Sequence, residues 1–425
     1  MTIPPNLLEN KKVVVALTGS IALYKSVELV RLLVKHGAKV RVIMSEAAKK
    51  FISPLTFETI SQNSVLDDTN ESWASDFNHI GFAKWADIFI VAPATANTIA
   101  KMANAIADNI LLQSILAFDG IKLLAPAANT KMLENPITKA NLKMLNIANF
   151  ETIDSQVKEL ACGDVGNGAM AEPIDIFYSA ARALIKDSFW SDRRVIVTGG
   201  GTIEKIDEVR YISNFSSGKM ASSLATALYL KGADVNLIST RFEPNLPKDL
   251  YTIDVTSSDE MREYLVDSIR VAKKGKLSKP TLMSDEPIKL IQKKPYLFMA
   301  AAVADYVAKY VQDGKLKKDI LGDEWDLKLT KNIDILSSVD KDGLVSIGFK
   351  AELDESSARD SAKNMLEAKN LNGVALNILK DSKSFGAKSN QIEFTTKDGS
   401  STTSYSDKLS VAFELLELSK KLCDE

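Results

Sequence analysis

The chain has 425 residues, 45% of them hydrophobic and 25% charged, with a formal net charge of −2. That length exceeds one ordinary core and predicts two domains of globular composition. The near-neutral charge argues against nucleic-acid binding, and no apolar run approaches the roughly 20 residues needed to cross a bilayer. The opening Met-Thr-Ile-Pro-Pro-Asn has no signal-peptide apolar core, and Cys162 and Cys423 are too few for a disulfide framework. A cytoplasmic location is therefore expected. Two histidines, His36 and His79, with so few thiols speak against a zinc site.

Residues 13–17 form an apolar, β-branched run that predicts a buried strand. Thr18-Gly-Ser20 then turns into a helix reaching Lys35, whose apolar face is Ile21, Val27, Val30, Leu33 and Val34, with His36-Gly37 closing it. Val40–Met44 is the next strand, and Ser45 opens another helix. Strands at 85–93 and 121–126 follow, ending in Ala94-Thr-Ala-Asn97 and Ala127-Ala-Asn129. This βαβ alternation predicts a parallel sheet with right-handed crossovers. Residues 159–173 contain three glycines without apolar periodicity and are read as a loop. A helix over 174–186 and a short linker over 188–194 complete the first half.

The alternation then restarts. Val195–Thr198 is a strand, Gly199-Gly-Gly201 a turn, and 218–231 a helix. Further strands are predicted at 235–238, 252–255, 296–304, 327–330, 344–349 and 373–377, with a helix over 259–271. The Lys-, Ser- and Pro-rich stretch 273–294 is read as an exposed insertion.

In open parallel sheets, ligands bind beyond the carboxyl ends of the strands. Gly19, Ser20, Ser45, Thr95 and Asn97 all stand at such ends. Their hydroxyls and amides could cap helices or hold a phosphate; several together favour a cofactor pocket. The full G-x-G-x-x-G with a ribose-binding acid is missing, so a dinucleotide is not indicated. Cys162 in a glycine-rich loop suits a proton donor.

Five stretches of the first half resemble the flavin-dependent phosphopantothenoylcysteine decarboxylases. They are Gly19-Ser-Ile-Ala22, His79, Pro93-Ala-Thr-Ala-Asn97, Pro126-Ala-Ala-Asn129 with Met132, and Ala161-Cys-Gly-Asp-Val-Gly-Asn-Gly-Ala-Met-Ala-Glu-Pro173. Two positions depart from the family pattern: Ala128 replaces a Met and Ala169 an Arg. The resemblance implies FMN bound by Gly19, Ser20, Ser45 and Ala94, and by Thr95, Asn97 and Ser114. It implies that the substrate's cysteinyl thiol is oxidised to a thioaldehyde, which serves as the electron sink for loss of CO₂. The enethiol is then reduced with a proton from Cys162. Asn129 and Met132 would hold the substrate, and His79 would act near the flavin and the thiol.

In the second half, Asn214-Phe-Ser-Ser-Gly-Lys219, Ala300-Ala-Ala-Val-Ala-Asp305, Lys315-Leu-Lys-Lys318, Lys331-Asn-Ile-Asp334 and Gly348-Phe-Lys-Ala-Glu352 resemble the bacterial phosphopantothenate–cysteine ligases. Ile333 stands where the family has Pro, and Lys350 where it has Ala. The resemblance implies activation of 4′-phosphopantothenate by CTP as an acyl-cytidylate, then displacement of CMP by the amine of cysteine. Lys315 and Mg²⁺ would stabilise charge in the first step, and Asn214 would serve the second. Ala301, Ala302, Val303, Asp305, Lys331, Asn332, Ile333, Asp334, Phe349 and Lys369 are the implied substrate contacts. Metal ligands are not identified.

The reading is thus two α/β domains, 1–190 and 191–425, the first flavodoxin-like and the second Rossmann-like. A homo-oligomer is implied, trimeric about the flavin domain and dimeric through the ligase domain; a dodecamer satisfies both. The rivals are a non-enzymatic flavoprotein regulator, which need not keep the thiol loop, and a flavin prenyltransferase, which would lack the second half.

Overall fold

A computed structural model of the chain describes residues 1–159, 163, 165–278, 287–317, 322–379 and 386–423. Its contacts divide it into two compact units, one built on Pro5–Ile185 and the other on Lys186–Leu277 with Leu290–Glu425.

The first unit is a parallel sheet. Its strands are β1 (Lys12–Leu17), β2 (Lys39–Met44), β3 (Ile88–Ala94), β4 (Ile121–Pro126) and β5 (Phe150–Thr152), in the order β2-β1-β3-β4-β5. β3 lies centrally and is buried along its whole length, as expected of a strand covered on both faces. Helix α1 (Leu23–Lys35) buries Leu23, Ser26, Leu29, Val30 and Leu33. Its apolar face therefore differs from the one expected. Ile21 is exposed in the turn before the helix, so it is outside the helical phase. Ser26, polar on the buried face, donates to the Ala92 carbonyl at 2.7 Å. His36 is structural: its backbone N–H closes α1, and its ring meets Phe177 at 5.2 Å.

The further helices of this unit up to β5 are α2 (Glu46–Lys49), α3 (Pro54–Ser61), α4 (His79–Trp85), α5 (Ala96–Ala103), α6 (Ile110–Leu116), α7 (Thr130–Glu134) and α8 (Pro136–Ile147); α2, α5 and α7 directly follow β2, β3 and β4, as α1 follows β1. Residues 165–169 depart from the expected loop over 159–173 and form a strand. β6 (Gln156–Glu159) pairs antiparallel with β7 (Val165–Ala169), and α9 (Pro173–Ile185) follows. The glycine here permits close approach: a Cβ on Gly166 would stand 2.2 Å from Thr130 Oγ1.

The second unit has an eight-stranded sheet. β8 (Arg194–Gly199) is followed by a hairpin of β9 (Ile203–Lys205) and β10 (Tyr211–Ser213), so the stretch between the glycine turn and the next helix is a paired ribbon. Then come α10 (Lys219–Leu230), β11 (Asp234–Ser239), β12 (Tyr251–Asp254) and α11 (Ser258–Ala272). β13 (Lys276–Leu277) pairs with β14 (Leu290–Ile291) at the base of the insertion, whose residues 279–286 lie outside those described. β15 (Tyr296–Met299), β16 (Tyr306–Ala308), β17 (Leu329–Lys331), β18 (Val345–Glu352) and β19 (Gly373–Ile378) follow. β20 (Ser389–Asn390), β21 (Glu393–Thr396), β22 (Gly399–Thr402), β23 (Ser406–Asp407) and a helix at Lys408–Lys420 complete the chain. The main sheet runs β12-β11-β8-β15-β18-β19-β21-β22, parallel up to β19 and antiparallel beyond it. Gly199 is required by packing, since a Cβ there would stand 2.5 Å from Ala221 Cβ on α10.

The expected linker 188–194 is core. Trp190 is 0% exposed and meets Tyr296 and Phe189 with ring centroids 5.0 Å away. Arg193 is 1% exposed, lies 4.0 Å over the Phe189 ring, and donates to the Phe189 and Lys294 carbonyls. A buried guanidinium is tolerated because carbonyls and rings take its donors and charge. Trp190→Ala is expected to destabilise the C-terminal unit by about 3–5 kcal/mol. The check is the C-terminal transition in denaturant unfolding of the full chain.

Candidate active sites

In the first unit the helix starts converge on a cavity of about 570 Å³. Thr18, Gly19, Ser20, Ser45, Thr95, Asn97 and Met132 are among its walls. Each hydroxyl also performs a local task. Ser45 accepts from the Ala48 N–H, and Thr95 from the Thr98 N–H at 3.3 Å. Thr18 donates to the Pro93 carbonyl at 2.6 Å and accepts from the Thr95 N–H, which ties β1 to the end of β3. Capping and cavity lining thus coincide in the same residues. Gly19 leaves room for Ala47, whose Cβ lies 2.5 Å from where a Gly19 Cβ would be.

Two expected flavin contacts are not in this wall. Ala94 is closed into β3, and Ser114 is fully buried with its hydroxyl on the Ile110 carbonyl at 2.7 Å. The cavity also uses Asp68, Lys101 and Asn109, which no motif indicated. Asn109 carried a readable signal as the N-cap of α6. Asp68 carried none: it accepts from the Ile110 N–H across 42 residues of sequence.

A second space of about 590 Å³ shares Ser20, Ala127 and Ala128 with the first. Its walls include Asn129, Lys25, Lys158, Ala169 and Glu172. Asn129 caps α7, accepting from the Lys131 N–H at 2.9 Å. The two alanines that depart from the family pattern both line this space. Cys162 falls outside the described residues; Glu159, which precedes it by three positions, lines the space. His79 lines neither cavity. Its Nδ1 is 2.6 Å from Glu71 Oε1, and Trp73 meets its ring edge-on.

Lys25 on α1 donates to the Met170 carbonyl and to Glu172, and Lys158 on β6 pairs with the same carboxylate. This clamp fastens the β6–β7 hairpin over α1. Burial opposes the charge of Glu172, but the two ammoniums prevail and hold its carboxyl below the ordinary 4.5. A depressed carboxyl contributes stability that is complete above its ordinary value and lost as pH falls through the lowered one.

In the second unit a cavity of about 600 Å³ opens at the carboxyl ends of β15 and β18. It collects Asn214, Ala301, Ala302, Val303, Asp305, Lys331, Asn332, Ile333, Asp334, Phe349 and Lys369. Asn214 donates to the Val303 carbonyl at 3.0 Å. Asn332 donates to Ala304 O at 2.8 Å and to Ser258 Oγ at 3.0 Å, and its backbone N–H bonds Asp305 O. Lys369 pairs with Asp334 at 2.8 Å. Burial works against the Asp334 charge, but Lys369 and Ser337 hold its carboxyl below the usual range. Met365 was missed, although it lies one helical turn before Lys369.

Lys315 does not line this cavity. It is exposed in a loop fastened by its neighbour Leu316, whose N–H bonds Asp207 at 3.1 Å and whose carbonyl accepts from Arg210 at 3.0 Å. Arg210 and three backbone N–H groups hold the Asp207 carboxyl far below the usual range. Lys318 lies outside the described residues.

Residues 1–184 match the family model described as Flavoprotein. Residues 190–274 and 276–422 match the DNA/pantothenate metabolism flavoprotein C-terminal domain. The Coenzyme A biosynthesis bifunctional protein CoaBC of Haemophilus influenzae is 36% identical over 413 residues, covering 96% of this chain and 97% of that one. Its counterpart from Bacillus subtilis is 38% identical over 419 residues, 97% of each. The chain belongs to this bifunctional coenzyme A biosynthesis family. The N-terminal half is a flavoprotein domain, and both halves are α/β. A prenyltransferase or a lone flavoprotein regulator would not carry the matched C-terminal half.

Glu172→Gln is expected to loosen the β6–β7 hairpin at neutral pH. In the wild type the same loosening should appear only as pH falls through the lowered carboxyl value, below the ordinary glutamate range. Limited proteolysis between residues 156 and 169 measures both; equal resistance of the two proteins at pH 7 would exclude the clamp.

Proposed function

We propose that the C-terminal unit joins 4′-phosphopantothenate to cysteine using CTP, and that the N-terminal unit decarboxylates the product to 4′-phosphopantetheine. What supports this most is that residues from four separated ligase-like stretches line one cavity at the carboxyl edge of a parallel sheet.

In the ligase reaction the substrate carboxylate attacks the α-phosphate of CTP, forming the acyl-cytidylate and releasing pyrophosphate. The amine of cysteine then attacks the acyl carbon, and CMP leaves. Asn214, fixed by the Val303 carbonyl, orients the acyl group for that second attack. Lys315, outside the cavity wall, meets the part of the triphosphate that projects from it. Among the described residues no His, Cys, Asp and Glu cluster could hold a metal, so no step is assigned to Mg²⁺ here; we place it with the nucleotide.

The cavity fits a flavin phosphate. Starts of α1, α2 and α5 lie at its walls, where backbone N–H groups and the hydroxyls of Ser20, Ser45 and Thr95 would meet an anion. FMN bound there would supply the two-electron oxidation and the return of hydride. Asn129 in the adjoining space would hold the substrate carboxylate, and Cys162 would protonate the enethiol. His79 would act on a neighbouring copy in a trimer, since it lines neither cavity of its own. Exposed Ile21, Tyr24 and Trp73 offer apolar surface for such contacts. A dimer through the ligase unit and a dodecamer overall complete the proposal, in a cytoplasmic enzyme.

Purified protein given 4′-phosphopantothenate, cysteine, Mg²⁺ and CTP should release pyrophosphate and then CO₂, with ATP a poor substitute. Lys315→Gln should abolish pyrophosphate release; normal release would remove Lys315 from the first step. Cys162→Ser should still evolve CO₂ but accumulate the oxidised enethiol, seen by mass spectrometry. If it forms 4′-phosphopantetheine at the normal rate, Cys162 is not the proton donor.

A further inference from the structure

Beside the nucleotide cavity lies a smaller pocket of about 190 Å³, between the start of α10 and the start of the Lys408–Lys420 helix. Ser216, Gly218, Lys219, Asn390 and Lys408 are among its walls. Ala301, Ala302, Phe349, Lys350 and Ala351 line both spaces, so the two adjoin.

Two independent features suit this pocket to an anion. Helix α10 is 12 residues long and begins at Gly218 with φ 70°, and no side chain caps it. Its first backbone N–H groups therefore face the pocket without a side-chain acceptor. Separately, Lys408 is only 9% exposed, yet among the described residues its ammonium has no hydrogen bond or ion pair. Burial and the nearby Lys219 ammonium both lower its hold on its proton. Glu243 acts in the opposite sense, but that carboxylate is engaged with the Met1 ammonium at 3.1 Å. Lys219 donates to the Gly386 carbonyl at 3.0 Å, and Lys350 is paired with Glu352 at 3.1 Å. Lys408 and Lys219 thus face the pocket without an acidic partner at bonding distance. An ammonium left buried and unpaired is costly unless a ligand completes it.

We propose that this pocket holds the phosphate monoester of the acid substrate, and that Lys408 selects the phosphorylated acid over the unphosphorylated one. The proposal rests on the ligase reading. The acid's carboxylate must meet the nucleotide near Asn214, and its monoester, at the other end, then reaches the adjoining space. Such a dianion depends on the chain's own cations, whereas a triphosphate arrives with its metal.

Titration calorimetry on the full-length protein tests this with 4′-phosphopantothenate and pantothenate as separate ligands. The wild type should bind the phosphorylated acid at least about tenfold more tightly, and inorganic phosphate should compete with it. Lys408→Met should weaken that binding by about tenfold or more, leave pantothenate and CTP binding unchanged, and not lower the melting temperature of the C-terminal unit. Lys408→Arg should retain most of the preference. Unchanged discrimination in Lys408→Met, or a loss confined to CTP, would overturn the proposal. So would a lowered melting temperature with the preference intact, which would mark Lys408 as structural. Binding needs no turnover, so a protein that selects the phosphorylated acid through Lys408 yet releases no pyrophosphate would sink only the ligase reading.

Discussion

The first backbone N–H groups of a helix have no partner inside it, and a parallel sheet places the helix starts after its strands along one edge. Both units of this chain are governed by that constraint. Every strand-to-helix turn must supply an acceptor for its N–H groups or leave them to a ligand. In the first unit Ser45, Thr95 and Asn129 supply acceptors from their side chains. In the second, α10 begins without one. The cavities occupy the same edge because backbone polarity, apolar strand ends and short polar side chains meet there.

Each site is then held by a small number of polar ties between elements distant in sequence. Thr18 couples the ends of β1 and β3, and Glu172 couples α1 to the β6–β7 hairpin. Asn332 draws the turn after β17 towards Ser258 at the start of α11. Asp207 and Arg210 anchor the loop that carries Lys315. These ties are partly buried, so losing one partner would leave the other poorly solvated. They hold loop residues in place on an apolar scaffold that could not specify their positions alone.

The parallel strands were legible because their apolar runs are long and end in turn residues; β1, β2 and β4 begin within one residue of where the pattern puts them. So were most wall residues of the ligase cavity, since those stretches are contiguous. Three features were hidden for physical reasons. The β6–β7 hairpin has glycines where a strand would carry branched residues, because its backbone must pass close to Thr130. Lys25, Lys158 and Glu172 look like surface charges until the fold brings them to one carboxylate. Beyond residue 380 no element was expected: β20 to β23 are only two to four residues long, and the Lys408–Lys420 helix was not read from its sequence. That helix carries Lys408 and packs against α10.

The seam between the halves has a practical meaning for anyone dividing the protein, or for evolution in joining two genes. Arg194 opens β8, and a cut just before it would seem natural from the strand pattern. Such a cut would strip the C-terminal piece of Trp190 and Arg193, baring the Tyr296 ring and leaving the Lys294 carbonyl short of its guanidinium donor. A C-terminal half that is to fold alone must keep Trp190 and Arg193, and the compact unit they belong to begins at Lys186. The few residues that look like a tether are the last piece of one core, and a fusion point can be moved towards the N-terminus but not into them.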